Sequence, residues 1–195
     1  MKYFILEACR RFVQMIFGLS IFEFPVLREI RMIMYRLVFN IKGKPSYISN
    51  HVIFFRAHNI KNSDCKVGNI SIGKHCGISS DVQIDYSGDI QMGDYVWLSE
   101  GCKIFTHTHM LQPNRIYRTS DSIIPNKLVI GDYAWLGANS IILPGVNYIG
   151  SNSVIGGGAV CTHDVPDNVV VAGNPARIIR ELTEDEIAII KESVN

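Results

Sequence analysis

The chain has 195 residues, of which 47% are apolar and 19% charged, with 19 Lys and Arg against 18 Asp and Glu. That length suits one compact domain with an appendage, or two small domains. A formal net charge of +1 gives no electrostatic ground for a nucleic-acid partner, so none is expected, and any anion must be held by a local cluster.

In chain order, the first signals are helical. The opening stretch MKYFILEACRRFVQMIFGLSIF is apolar but broken by Glu7, Arg10 and Arg11, and its longest uncharged run, Phe12 to Phe22, is 11 residues. A membrane-spanning helix needs roughly 20. No small-residue cleavage site follows, so it is not read as a signal peptide. The spacing predicts one helix near residues 3–20 and a second over PVLREIRMIMYRLVF (25–39), where Arg28, Arg31 and Arg36 alternate with apolar residues. Residues 1–60 are read as this N-terminal helical, amphipathic segment. Two roles stay open for it: a cap over the open end of the domain beyond residue 60, or an anchor in peripheral contact with a membrane.

From about Ile70 to Val171, within a domain read as residues 61–182, the chain repeats itself. MGDYVWLSEGCKI (92–104) and IGDYAWLGANSII (130–142) share GDY-W-L almost letter for letter. An aliphatic residue recurs every six positions at Ile72, Ile78, Ile84 and Ile90, then at Met92, Leu98 and Ile104, then at Ile130, Leu136 and Ile142, and after a seven-residue step at Ile149 and Ile155, with Cys161 in the next slot. Four residues past these stand small side chains, among them Cys76, Val82, Cys102, Ala134, Ser140, Ser153 and Ala159. Such a period fits neither a helix nor a long strand. It fits short strands joined by turns, each turning one large and one small side chain inward. Three such strands make a triangular coil of roughly 18 residues, and stacked coils bury one continuous core. Glycines 73, 93, 131, 137, 150 and 156 are read as permitting corners with unusual backbone angles. Tyr148 is an extra residue expected to bulge one corner. Cys76 and Cys102 fall into interior slots. The five cysteines (Cys9, Cys65, Cys76, Cys102 and Cys161) include no CxxC pair, so neither a zinc site nor a disulfide framework is indicated, and a cytoplasmic, reducing setting is expected.

The period fails over residues 110–128, MLQPNRIYRTSDSIIPNKL, which is read as an extended loop leaving the coil. Long insertions of this kind often carry function. Thr106-His107-Thr108-His109 stands just before it. An HxH pair could place two metal ligands on one strand face, but no further ligand lies near in sequence to complete the set. The other reading is acid–base chemistry, for which histidine is the natural side chain near neutral pH. Beyond it come GANSIILPGV (137–146), GGGAVCTHDVP (156–166) and VVVAGNPARIIR (169–180). Thr183-Glu-Asp-Glu186 before IAII is a capping box, so residues 183–195 are read as a C-terminal helix.

These three stretches, with the hexad repeat, resemble the hexapeptide-repeat acyltransferases, in particular the sugar and polysaccharide O-acetyltransferase branch related to maltose, galactoside and xenobiotic acetyltransferases. The resemblance implies an all-β fold, a left-handed parallel β-helix with N-terminal helices, an extended loop and a short C-terminal helix. It implies acetyl-CoA as acyl donor, no metal, a small-molecule or glycan acceptor, and a homotrimer with grooves between subunits. By position in the family, the catalytic base falls at His109, the fifth residue after Ile104. The donor contacts fall at Ala138, Gly157, Thr162, His163, Arg177 and Arg180, the two arginines serving the coenzyme's phosphates. Relatives often carry lysine where this chain has His163. Where sugar acetyltransferases carry an acceptor-binding asparagine this chain has Ser79, so the acceptor side differs. Ser79, Asp85 and His107 are the candidate acceptor contacts. Asp85 reads first as an outward, solvated carboxylate, with a histidine partner as the alternative. The function expected is acetyl-CoA-dependent O-acetylation of a sugar hydroxyl, of a surface polysaccharide or its precursor. N-acetylation of an amino sugar nucleotide and a non-catalytic β-helix scaffold are the rivals. A carbonic anhydrase-like metalloenzyme would need three zinc histidines, for which only His75, His107 and His109 offer themselves.

Overall fold

The computed structural model describes residues 2–19, 21, 24–39, 41, 47–57, 68–109 and 123–192. His58, Cys65 and residues 110–122 of the insertion lie outside these.

The repeat folds as the six-residue period requires. Short strands visit three parallel faces in rotation: Ile70–Ile72, Gly77–Ile78 and Gln83–Asp85, then Ile90–Met92, Trp97–Leu98 and Lys103–Ile104, and again after the insertion from Leu128–Ile130. The periodic aliphatics stack. Ile72 lies opposite Met92, Met92 opposite Ile130 and Ile130 opposite Ile149. On the next face the stack is Ile78, Leu98, Leu136 and Ile155, and on the third Ile84, Ile104, Ile142 and Cys161. All are buried, and so are the small residues four places on. Each fully buried Ile or Leu is worth about 1.5–3 kcal/mol, so the stacks supply most of the core energy. The strands Tyr47–Ile48 and Ile53–Phe55, inside the span read as N-terminal segment, already pair in parallel with the coil at Gly77–Ile78 and Gln83–Asp85.

The GDY repeat has a physical reason at each letter. The Asp94 carboxylate accepts the Lys74 N–H at 2.7 Å, and Asp132 accepts the Asp94 N–H at 2.8 Å, so each aspartate closes the corner of the coil before it. Tyr95 and Tyr133 stack at 4.9 Å between ring centres. The glycines play a different part from the one expected of them. The left-handed corners are held by His51, His75, Asp81, Tyr95, Tyr133, Asn139, Asn152 and Asn168, with Gly101, Gly158 and Gly173. Gly73, Gly93, Gly131, Gly137, Gly150 and Gly156 are absent from that set. A side chain at Gly73, Gly93, Gly131 or Gly150 would instead strike the neighbouring coil within 2.5 Å. They are glycine because adjacent corners nearly touch.

Cys76, Cys102 and Cys161 are buried and unpaired. Burial pushes each thiol up to about 11. Iodoacetamide at pH 8 is therefore expected to leave these three unlabelled in the folded protein while modifying the exposed Cys9, which peptide mass mapping would show. Labelling of Cys102 without unfolding would contradict its interior placement.

Helix α1 (Lys2–Phe17) and helix α2 (Pro25–Phe39) close the first coil. Tyr35 and Phe39 of α2 are buried against Phe54 and, for Phe39, Tyr86. Arg10 of α1 ties the parts together, donating to the Val38 carbonyl at 2.7 Å and the Tyr86 hydroxyl at 3.3 Å. The Gln14 amide both donates to and accepts from the Phe54 backbone at 2.9 Å. The capping role is thus occupied. At the other end, helix α3 (Glu184–Glu192) starts on the expected box, with Thr183 N–H on Glu186 at 2.9 Å and Glu186 N–H on the Thr183 hydroxyl at 3.2 Å.

Candidate active site

His107 and His109 lie on a short strand, His107–His109, that leaves the coil just after Ile104. Its partner is Ile123–Pro125, antiparallel, with Ile123 opposite His109 and Pro125 opposite His107. The span read as loop 110–128 therefore returns as a strand at 123–125 and rejoins the coil at Leu128–Ile130. The Thr106 carbonyl accepts the Asn126 N–H at 2.7 Å and pins the base of this ribbon.

Asp85 is not the outward, solvated carboxylate expected. It is fully buried, and donors converge on both its oxygens. Oδ1 accepts the Ser87 N–H at 3.0 Å and the Ser87 hydroxyl. Oδ2 accepts the Thr106 N–H at 2.8 Å and faces His107 Nδ1 at 2.6 Å. A carboxylate can only accept, so His107 Nδ1 is the donor to Asp85. The reason for burial is non-local. The Thr106 hydroxyl donates to the Asp85 carbonyl at 2.6 Å and accepts the Gly88 N–H at 2.9 Å, so the ribbon's root closes over the carboxylate. The His107 and His109 rings meet edge to face, 5.3 Å apart at 79°. Thr106 and Ser87 were not singled out from the sequence. The Asp-x-Ser spacing of Asp85 and Ser87 is the local signal, an aspartate capping the N–H two residues on.

The donor candidates fall on two edges of one face. The N–H groups of Phe105 and Leu143 donate to Ile142 and Cys161 on successive coils, so Phe105, Leu143 and Thr162 stand in register. The histidine strand and Thr162–His163 thus leave the same corner of the coil. They are two coils apart, on the order of 10 Å at the usual strand spacing. Thr162 Oγ1 and His163 Nδ1 lie 2.8 Å apart. Both line a cavity of about 370 Å³ with Asp164, Ala176, Arg177 and Ile178. Ala138 and Gly157 stack at the opposite edge, where Ala138 accepts the Gly158 N–H at 2.8 Å, and both are exposed. A ligand touching all of them must be long and extended.

Arg177 and Arg180 differ. Arg177 faces the cavity. Arg180 makes a two-pronged pair with Glu186, 2.8 Å on each prong. The Arg180 guanidinium, helped by the Thr183 N–H, holds the Glu186 carboxyl down to about 2. Ser79 sits half-buried at the corner after Gly77–Ile78, its N–H on the Leu98 carbonyl at 2.9 Å. None of the described hydrogen bonds links it to the histidine strand.

No family model matches the chain. Over 98 residues it is 40% identical to a galactoside O-acetyltransferase of Lactococcus lactis subsp. lactis, covering 50% of this chain and 46% of that one. Over 130 residues it is 32% identical to a protein of Escherichia coli (strain K12) assigned by name to colanic acid biosynthesis as an acetyltransferase, covering 59% of this chain and 71% of that one. A crystal structure of a hexapeptide-repeat-containing acetyltransferase from Vibrio cholerae O1 biovar eltor, complexed with acetyl coenzyme A, aligns with a TM-score of 0.73 at 26% identity. That match covers 92% of this chain and 88% of the other. Against three of the curated relatives, the chain spans only 46% to 61% of their length.

Proposed function

Because this chain belongs to the hexapeptide-repeat acetyltransferases, we propose that it transfers the acetyl group of acetyl-CoA to a sugar hydroxyl, of a surface polysaccharide or its precursor. One observation carries the reading: the histidine strand and the Thr162–His163–Arg177 cavity leave one corner of the coil. That shared corner supports reading the strand as the source of a base and the cavity as a site for a phosphate-bearing ligand. The coil is read as a left-handed β-helix, preceded by the helical segment and closed by the C-terminal helix. Three copies would pack so that the histidine edge of one faces the donor residues of the next, in the cytoplasm.

In this reading His109 takes the proton of the acceptor hydroxyl as the oxygen bonds to the thioester carbon. The carbonyl electron pair moves to oxygen, where a backbone N–H near Ala138 steadies it. When the carbonyl re-forms, the carbon–sulfur bond breaks, and the coenzyme A thiolate recovers the proton from the imidazolium. No acyl-enzyme is required, and the three buried thiols are too poorly ionised to form one. A second reading rests on the Asp85–His107 contact. A histidine oriented by a buried carboxylate is how many hydrolases hold their base, which makes His107 the rival for the same step. N-acetylation of an amino sugar would use the same groups.

Calorimetric titration with coenzyme A and with its 3′-dephosphorylated form tests the donor assignment. Micromolar binding that weakens without the phosphate, and weakens about tenfold in Arg177→Ala, is the expected result. Arg180→Ala is expected to do less, because Glu186 already holds that guanidinium. No binding to a folded trimer would leave the scaffold reading standing.

A further inference from the structure

The end cap of a solenoid normally turns a polar outer face to water, because that face has no next repeat to cover it. This cap does the reverse. On α1 the sides of Arg10, Val13 and Gln14 face the coil, and the opposite stripe carries Ile5, Phe12 and Met15, all exposed. On α2 the buried side is Arg31, Met32, Tyr35 and Phe39, and the opposite stripe is Val26, Ile30, Ile33 and Leu37. Val26 and Leu37 are 75% and 72% exposed. The connection continues the pattern through Leu19, Ile21 and Phe24. Scattered surface apolar residues need no explanation, but a contiguous face of this kind marks an interaction surface.

We propose that this outward face of α1 and α2 seats on an anionic lipid surface, its apolar stripes in the interfacial layer and its arginines among the headgroups. Three observations select lipid as the occupant. Neither helix is long and apolar enough to cross a membrane among the described residues, so the pair lies in the interface rather than spanning it. The stripes of Ile5, Phe12 and Met15 and of Val26, Ile30, Ile33 and Leu37 lie opposite the buried sides, the pattern of an interfacial amphipathic helix. Among the described side chains of the two helices that are not buried, the charged ones are the exposed Arg11 and the half-buried Arg28 and Arg36 against the exposed Glu29. A basic rim attracts anionic headgroups and would repel its own copy in a face-to-face pair. The catalytic reading is not needed for this proposal. If both hold, lipid contact places the coil near a lipid-linked acceptor.

The test is flotation of the full chain with vesicles of phosphatidylcholine and phosphatidylglycerol, against vesicles of phosphatidylcholine alone. The protein is expected to float with the anionic vesicles, and raised salt should weaken that binding. Phe12→Glu with Leu37→Glu is expected to cut the bound fraction about tenfold. Both sites are exposed, so the thermal melt and coenzyme A binding should be retained. Should that variant fail to fold, Met15→Asp with Val26→Asp reads the same face. Absence of flotation in the wild type overturns the proposal, and so does equal flotation of wild type and a folded variant. Light scattering that shows the wild type assembling through this face, with the vesicles ignored, overturns it in favour of self-association. A protein that floats but does not bind coenzyme A would sink the acetyltransferase reading and leave this one intact.

Discussion

Replacing His109 by alanine is expected to lower kcat about 10²- to 10⁴-fold, the range for loss of a general base, or about 3–5 kcal/mol of transition-state stabilisation. Coenzyme A affinity should stay near the wild-type value, since Thr162, His163 and Arg177 line a separate cavity. The informative comparison is His107→Ala in the same assay. The two rings are in edge-to-face contact 5.3 Å apart, and His107 has the buried carboxylate of Asp85 behind it. If His109 is the base, His107→Ala should cost less in kcat, acting through the position of its neighbour. A dead His107→Ala beside a near-normal His109→Ala would move the base to His107. Acetyl transfer to a panel of sugars, followed by release of free thiol, measures both. Equal activity in both single variants and the wild type would remove the acid–base reading of this strand.

The repeat was legible because it depends on local alternation. A large residue every six positions and a small one four places on can be satisfied together only by short strands around a common axis, and Ile78, Leu98, Leu136 and Ile155 fall into one stack accordingly. The capping box at Thr183 and Glu186 was legible for the same reason. What failed was non-local. The repeated glycines suggested unusual backbone angles, but Asn, Asp, His and Tyr residues, with only a few other glycines, occupy the left-handed corners. The repeated glycines answer to the next coil, which the sequence does not show. Asp85 ends a strand whose preceding residue, Ile84, faces inward, so alternation alone turns it out to solvent. Its cover comes from Thr106 and the ribbon root, 21 residues on. Glu186 was readable as a cap, whereas its hold on Arg180 needed the return of the Arg177–Glu181 strand against the coil.

The largest stability effect at the site is expected from Asp85. Alanine there would leave the Thr106 and Ser87 N–H groups in a buried space without an acceptor, along with the Ser87 hydroxyl and His107 Nδ1. An unsatisfied buried donor costs about 1–3 kcal/mol. The hydroxyl can rotate and the half-buried imidazole can find water, so the two backbone groups dominate and the total should be about 3–5 kcal/mol. That is a large part of a domain's usual 5–15, on the order of such stabilities, and lowers Tm by roughly 10 °C. Asparagine should be little better despite its shape. Each oxygen of Asp85 receives donors, so either orientation of the amide sets its NH2 against other N–H groups. An exposed control such as Glu100→Ala should change stability by no more than about 0.5 kcal/mol. Urea unfolding of these variants, read alongside kcat, separates two roles for the carboxylate. Loss of stability with kcat intact in the surviving fold would make Asp85 a strut for the ribbon alone. Loss of kcat in a variant still folded at the assay temperature would show that the orientation of His107 matters to the reaction. Unchanged stability in Asp85→Asn would refute the hydrogen-bond network as the force that holds the histidine strand on the coil.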